Sequence, residues 1–216
     1  VFITALPTVF HCWFFEVLSV VGAPEGFISV VRVMYTDASA YAVGDEGLDF
    51  LFWVLGGVLT GCTMSGGLFN FAIDPLLWRL SFVVTTPDIG HVLACADDVG
   101  AALKQLSSLI EIAKVFKVFE MVSGLALHPG KCVLILTTAL ANSHNVCVIR
   151  LWLRKNIPEW ASMQIANSGC YLGVFLGPLV GNQMWAKPLS KFACRAEELS
   201  RAHLPIALAV KEYNTR

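Results

Sequence analysis

Asp97 and Asp98 stand side by side in the stretch Ile89 to Val99, read as I-G-H-V-L-A-C-A-D-D-V. An apolar run climbs into two adjacent carboxylates and falls back into apolar residues after them. Strands of this kind end in turns, and Asp is a common turn residue, so a solvated hairpin tip is one reading. The other is a metal site. Adjacent carboxylates repel, Ala94, Cys95 and Ala96 leave open space around them, and a hard divalent cation takes oxygen ligands and cancels that repulsion. Cysteine and histidine offer less. The seven cysteines are scattered with no C-x-x-C pair, and the five histidines do not sit at zinc-ligand spacing from them. An odd cysteine count points to reduced, buried thiols and a cytoplasmic or nuclear setting.

The elements that must position these groups come from a very apolar chain. Of 216 residues, 56% are hydrophobic and 14% charged, with net charge −1 and mean hydropathy +0.66. That length makes one large domain or two small ones. The near-zero charge argues against a free-standing nucleic-acid binder, which carries a basic excess. The start at Val1 rather than Met suggests a fragment or a processed product. Phe50 to Ile73 holds no charged residue and is long enough to span a bilayer. It also holds Gly56, Gly57, Gly61, Gly66 and Gly67 with Thr60, Thr63, Ser65 and Asn70, and no Lys or Arg cluster flanks it. A strand, a glycine-rich turn and a helix start describe it better than one span.

In chain order, Pro7 to Val21 shows a helical stripe of Trp13, Phe14, Val17, Leu18 and Val21, stopped by Gly22. Pro24 opens a second helix with Phe27, Val30, Val31 and Met34 on one face. Ala38 to Leu55 reads as a hairpin turning at Gly44 to Gly47. Ser65 to about Phe82 is a helix with Leu68, Phe69, Ala72, Leu76, Leu77 and Leu80 inward. After the aspartate hairpin, Ala101 to Val122 has helical periodicity and ends at Gly124. Val133 to Leu136 reads as a strand and Val146 to Asn156 as a helix. Ser162 to Ala166 and Tyr171 to Leu176 read as paired strands, and Trp185 to about Ala202 as a last helix.

Five short stretches, in this order, resemble the palm of a reverse transcriptase of the non-LTR retrotransposon (LINE-like) kind. Ala5-Leu6-Pro7-Thr8-Val9 with His11 and Trp13 looks like the tail of the first catalytic motif. Gly57 to Ser65, followed by Leu68-Phe69-Asn70, resembles the glycine-centred second motif. Ala96-Asp97-Asp98 is similar to the catalytic aspartate pair. Gly124 to Lys131 looks like the fourth motif, and Tyr171-Leu172-Gly173 with Leu176-Gly177 like the primer-grip hairpin. The resemblance implies an α/β (α+β) palm, an antiparallel sheet backed by helices, over residues 1–160. A primer-grip-like hairpin and C-terminal helix follow over 161–216, with fingers missing and the thumb largely missing.

What the resemblance implies chemically is RNA-directed DNA synthesis. The partners would be an RNA template, a DNA primer and deoxynucleotides, with Mg²⁺ or Mn²⁺ as cofactor. Nucleotidyl transfer of this type is an in-line displacement between two divalent ions held by carboxylates. Asp97 and Asp98 would be metal ligands and catalytic residues. Lys131 would sit near the departing phosphate, its alternative being a solvated lysine before a strand. Leu6, Gly57, Thr60, Gly61, Tyr171, Leu172 and Gly173 would contact substrate, template or primer, the last three being otherwise an ordinary edge hairpin. Gly57 and Gly61 would let backbone approach template and base without an obstructing β-carbon.

Several positions depart from the family pattern. Val1 stands where the first catalytic aspartate belongs, Leu6 replaces the aromatic sugar gate, and Thr60 replaces a glutamine. The expectation is therefore a degenerate fragment with little or no activity. Val1 to Ala5 is expected as a strand beside the aspartate hairpin, and that hairpin is expected to pack on the Ala101 to Val122 helix. Two alternatives from other classes stand beside this reading. One is a small membrane-associated protein with a span near 50–73, although no stable membrane insertion is expected. The other is a non-catalytic remnant that binds a partner through exposed apolar surface.

Overall fold

The computed structural model describes residues 2, 5–44, 47–59, 61–178, 180–181, 183–202, 205, 208 and 210–211, without the side chains of residues 5, 6 and 183. It is a mixed α/β structure whose sheets are small. The chain forms two compact units, one of Val1–Cys132 with Arg150–Met163, the other of Val133–Ile149 with Gln164–Arg216.

The first unit opens with a four-residue helix, α1 (Ala5–Thr8), then α2 (His11–Val20) and α3 (Glu25–Tyr35). Phe14, Val17 and Leu18 of α2 are buried, as the helical stripe requires, while Val21 lies outside the helix and is exposed. In α3 the buried positions are Ile28, Val31 and Tyr35. Val30, expected inward, is exposed. The inward stripe follows a steady three-then-four spacing that ends on an aromatic residue. Next comes the hairpin of β1 (Ser39–Gly44) and β2 (Gly47–Trp53), antiparallel as the hairpin reading of 38–55 predicts.

α4 (Ser65–Thr85) is the central element. Leu68, Phe69, Ala72, Ile73, Leu76, Leu80 and Val84 are buried along one side, and α2 and α5 (Leu109–Ser123) both lie against it. Each buried leucine contributes about 1.5–3 kcal/mol of burial free energy. Trp13 Nε1–H of α2 donates to the Ala72 carbonyl at 2.8 Å. Proline is tolerated at position 75 inside this helix. Phe50 to Ile73 is not one span: β2 ends at Trp53 and α4 begins only at Ser65. The glycines between them break the helical path, as their composition suggests.

β3 (Gly90–Cys95) and β4 (Asp98–Leu103) form the aspartate hairpin. β4 takes Ala101 to Leu103, which periodicity had assigned to the next helix. A single 3₁₀ turn, Leu106–Ser108, then leads into α5. Helical spacing of apolar residues does not distinguish helix from strand over three residues, and pairing with β3 decides it. The hairpin lies along α4 rather than on the helix that follows it. α5 stops at Gly124 in left-handed geometry, φ 76°.

In the second unit β5 (Val133–Ile135) pairs in parallel with β6 (Gln164–Ala166); α6 (Ser143–Asn156), between them in sequence, belongs to this unit up to Ile149 and to the first from Arg150. The strand expected at 162–166 therefore does not pair with 171–176. Instead β7 (Gly169–Tyr171) and β8 (Val174–Leu176) make their own hairpin across Leu172 and Gly173. α7 (Gln183–Arg201) completes the unit and contacts β8. Instead of one antiparallel sheet, the described residues form four two-stranded ladders, three antiparallel and one parallel. All seven cysteines are free, but only Cys62 and Cys132 are half-buried and the other five are exposed. The expectation of buried thiols fails there because most sit on outward strand and helix positions.

Candidate active site

The aspartate pair sits where the sequence places it. Cys95 pairs with Asp98, so Ala96 and Asp97 alone make the loop between β3 and β4. Ala96 takes φ 50°, a left-handed conformation that glycine fills without strain. Asp97 and Asp98 are both half-buried, while Leu93 to Ala96 face solvent. At the open end of the hairpin Lys104 pairs with Asp88 at 2.6 Å. Hydrogen bonding and charge from that ammonium hold the exposed Asp88 carboxyl below the usual carboxylate range.

A two-ion clamp needs carboxylates from separate segments converging on the same ions, at ligand distances of roughly 2.0–2.6 Å. Among the described residues no three His, Cys, Asp or Glu side chains come together in a way that could hold a metal ion. Asp97 and Asp98 share one hairpin tip, and two adjacent carboxylates by themselves do not make a two-ion clamp. Val1, where the resemblance expects an acid, lies outside the described residues. Ala5 belongs to a helix rather than to the strand expected over Val1 to Ala5. Phe2 makes an antiparallel bridge to Leu127, in the fourth stretch, not to the aspartate hairpin.

Three of the five stretches converge around residues 7–10. Gly57 N–H donates to the Val9 carbonyl at 2.7 Å, and Phe10 N–H to the Ser123 carbonyl at 2.8 Å. Phe10 also bridges Gly56. A β-carbon on Gly57, which has φ 88°, would lie 2.6 Å from Pro7 Cα. One on Gly124 would lie 2.5 Å from the Thr8 carbonyl oxygen. The space that Gly57 leaves open is thus filled by the chain's own backbone. Gly61 has the same φ of 88° but nothing within 4 Å of its β-position. Its surroundings are open, and of the two glycines it alone has room for an incoming group. Thr60 lies outside the described residues, as does the side chain of Leu6, whose backbone is in α1.

Sequence reasoning assigned no role to Tyr35, His11 or Ser65 at this loop. His11 Nε2–H donates to the Gly57 carbonyl at 3.0 Å. Its ring meets Phe14 and Tyr35 edge-on at 5.5 and 5.0 Å. The Tyr35 hydroxyl accepts from Leu59 N–H at 3.1 Å, and the Ser65 hydroxyl donates to the Leu59 carbonyl. Burial raises the Tyr35 phenol above its ordinary range, with the Leu59 and Ser65 hydrogen bonds partly opposing. These polar groups are engaged with loop backbone, so their work is to hold residues 57–59 in shape. The available signal was Tyr35 itself, four residues after Val31 on the buried stripe and too polar to be buried without a partner.

Lys131 ends a 3₁₀ turn, Pro129–Lys131, and is exposed. Its N–H donates to the His128 carbonyl at 3.0 Å. His128 Nδ1 is the buried side-chain nitrogen left without a hydrogen-bond partner among the described residues. Tyr171, Leu172 and Gly173 belong to the second unit. Tyr171 pairs with Val174, and Leu172 and Gly173 form the loop with φ 49° and 82°. Positive φ at both loop positions is the hairpin geometry that matches strand twist, so this segment turns where a continuous strand was expected. No protein-family model matches the sequence, and no curated protein matches it either.

Proposed function

We propose that the chain is a remnant of a LINE-like reverse-transcriptase palm that has lost nucleotidyl transfer. The relatives it resembles would extend a DNA primer on an RNA template with deoxynucleotides and Mg²⁺. The observation that supports the reading best is the meeting of three dispersed stretches. Residues 7–10 bond to Gly57 on one side and to Ser123 beside Gly124 on the other, in the unit that also carries Asp97 and Asp98 on a hairpin tip. The loss of activity follows from the acids. Two adjacent carboxylates at one hairpin tip do not set two ions in line, and valine at position 1 supplies no third ligand. Losing even one stabilising donor in an acyl-transfer site costs about 10²–10³ in rate.

The test is primer extension on a primed RNA template with Mg²⁺ and deoxynucleotides, with Asp97→Asn/Asp98→Asn as the blank. Neither the chain itself nor Val1→Asp is expected to rise above the blank. Restoring the acid leaves Leu6 at the sugar gate and leaves the substrate poorly oriented, and orientation contributes on the order of 7–11 kcal/mol to such reactions. Extension by the unmodified chain well above the blank would overturn the reading.

A further inference from the structure

The β1–β2 hairpin holds no buried residue in either strand, and no third strand joins it among the described residues. A two-stranded ladder of this kind is marginal in water unless a further strand or a packed layer covers it. A register shift beside Ala40 and Tyr41 sorts its side chains. Regular alternation would set Leu48, Phe50 and Phe52 on one face and Trp53 on the other. With the bulge, Trp53 pairs with Ser39, Phe50 with Tyr41 and Leu48 with Val43, so these residues share one face. The ring contacts agree: Phe50 meets Tyr41 at 5.8 Å and Trp53 at 5.3 Å. Tyr41, Val43, Leu48, Phe50 and Trp53 are each between 49% and 89% exposed. Asp49, the charged residue of the two strands, pairs with Ala42 on the opposite face.

We propose that this face is a dimer interface, stacked against the same face of a second copy of the chain. Its size suits that role. Three half-exposed aromatic side chains and two largely exposed aliphatic ones amount to on the order of 500–600 Å² per copy, which reaches the roughly 1,000 Å² in total that a specific interface must clear. Composition selects the partner. The face is uncharged, so two copies meet without burying a charge or opposing like charges. An anionic membrane finds no complement here: no Lys or Arg lies between Arg32 and Arg79, whereas Asp37, Asp45, Glu46 and Asp49 lie in or beside the hairpin sequence. The acids also choose the orientation. A two-fold axis across the strands runs the hairpins in opposite directions and holds the two Gly44–Gly47 ends, which flank Asp45 and Glu46, roughly 20 Å apart, beyond the screening length of about 8 Å. Sheets stacked in this way lie about 10 Å apart with interdigitated side chains. The symmetric stack closes at two copies, whereas pairing along strand edges would continue. It needs nothing from the polymerase reading of the aspartate hairpin.

Analytical ultracentrifugation of the whole chain, from micromolar to submillimolar concentration, tests it. A reversible monomer–dimer equilibrium is expected, with no larger species. The Tyr41–Phe50 pair sits at the middle of the face, next to the two-fold axis. Phe50→Glu therefore sets two carboxylates against each other and is expected to weaken the dimer at least about a hundredfold. Phe50→Lys alone should do the same. An equimolar mixture of the two variants should recover dimers, because a symmetric self-interface brings position 50 of one copy near position 50 of the other. Phe52→Glu, on the opposite face, should stay within about threefold of the parent. The variants are expected to keep the helical circular dichroism, since both side chains are exposed. Should Phe50→Glu lose it, Val43→Glu, at a position 89% exposed, replaces it as the disrupting variant. Monomers at every concentration would overturn the proposal and leave the face to a different partner. It would also be overturned by association that continues past the dimer, by a folded Phe50→Glu that dimerises like the parent, by a mixture that stays monomeric, or by a Phe52→Glu loss as large as that of Phe50→Glu.

Discussion

Gly57 and Gly61 share a φ of 88° and differ in what surrounds them, so alanine substitution separates backbone strain from steric conflict. Gly61→Ala meets open space and should cost about 1–2 kcal/mol, the penalty for a left-handed non-glycine residue. Gly57→Ala adds a clash with the Pro7 backbone, where no flexible side-chain end can give way. Its cost should exceed that of Gly61→Ala by at least about 1–3 kcal/mol. Urea denaturation of the two variants checks the order. If they are equally stable, residues 7–9 do not rest against this glycine. Tyr35 makes a second prediction. Removing its hydroxyl orphans the Leu59 N–H, so Tyr35→Phe should destabilise by about 1–3 kcal/mol near neutral pH. Because burial raises the phenol's pKa in the folded state, the unfolded chain loses that proton first as pH rises. Stability from this group is therefore full below about pH 10 and lost above it. The urea midpoint of the parent should fall through that range, and Tyr35→Phe should flatten the fall.

Among the elements, the β3–β4 hairpin carries a built-in cost at Ala96, the residue immediately before the acid pair. Its φ of 50° suits glycine, and Ala96→Gly should stabilise the chain by about 1 kcal/mol, read as a raised melting temperature. A destabilised variant would mean that the loop does not turn at 96–97. α4 is apolar and long enough to cross a membrane by length and composition, and one side of it is buried within its unit while the other is exposed. Leu76 is 1% exposed and Trp78 is 69% exposed. Leu76→Ala should cost about 2–5 kcal/mol in urea denaturation of the chain in aqueous buffer. Trp78→Ser should stay within about 0.5 kcal/mol. Equal effects of the two would argue that α4 does not serve as a one-sided core helix.

At the scale of the molecule, the apolar composition is not all spent on cores. Every residue of β2 is exposed, including Leu48, Phe50, Leu51, Phe52 and Trp53. A two-stranded sheet also leaves strand edges unpaired, the condition under which chains associate edge to edge. Phe50→Thr/Phe52→Lys should lower the binding of a hydrophobic dye and the concentration-dependent association seen by light scattering. The change in unfolding free energy should be small, since neither side chain is buried. Unchanged dye binding would place the exposed apolar surface elsewhere.

Local pattern carried a good deal of this structure. The stripes of α2 and α4, the stop at Gly124, the pairing of Gly44 with Gly47 and the turn at 96–97 all rest on interactions between residues near in sequence, which periodicity and turn chemistry report directly. The boundary at Leu103 was not legible, because three residues serve equally well as helix or strand until β3 supplies hydrogen-bond partners. The pairing of 164–166 with 133–135 was hidden for the same reason: a parallel ladder joins segments about thirty residues apart and leaves no local signature. The acid pair was readable as chemistry, but whether other ligands converge on it is a property of distant segments. Gly57 shows the limit most clearly. Its type announces that something comes close, and only the folded chain reveals that the occupant is Pro7, because close packing is decided by what long-range contacts bring into the space.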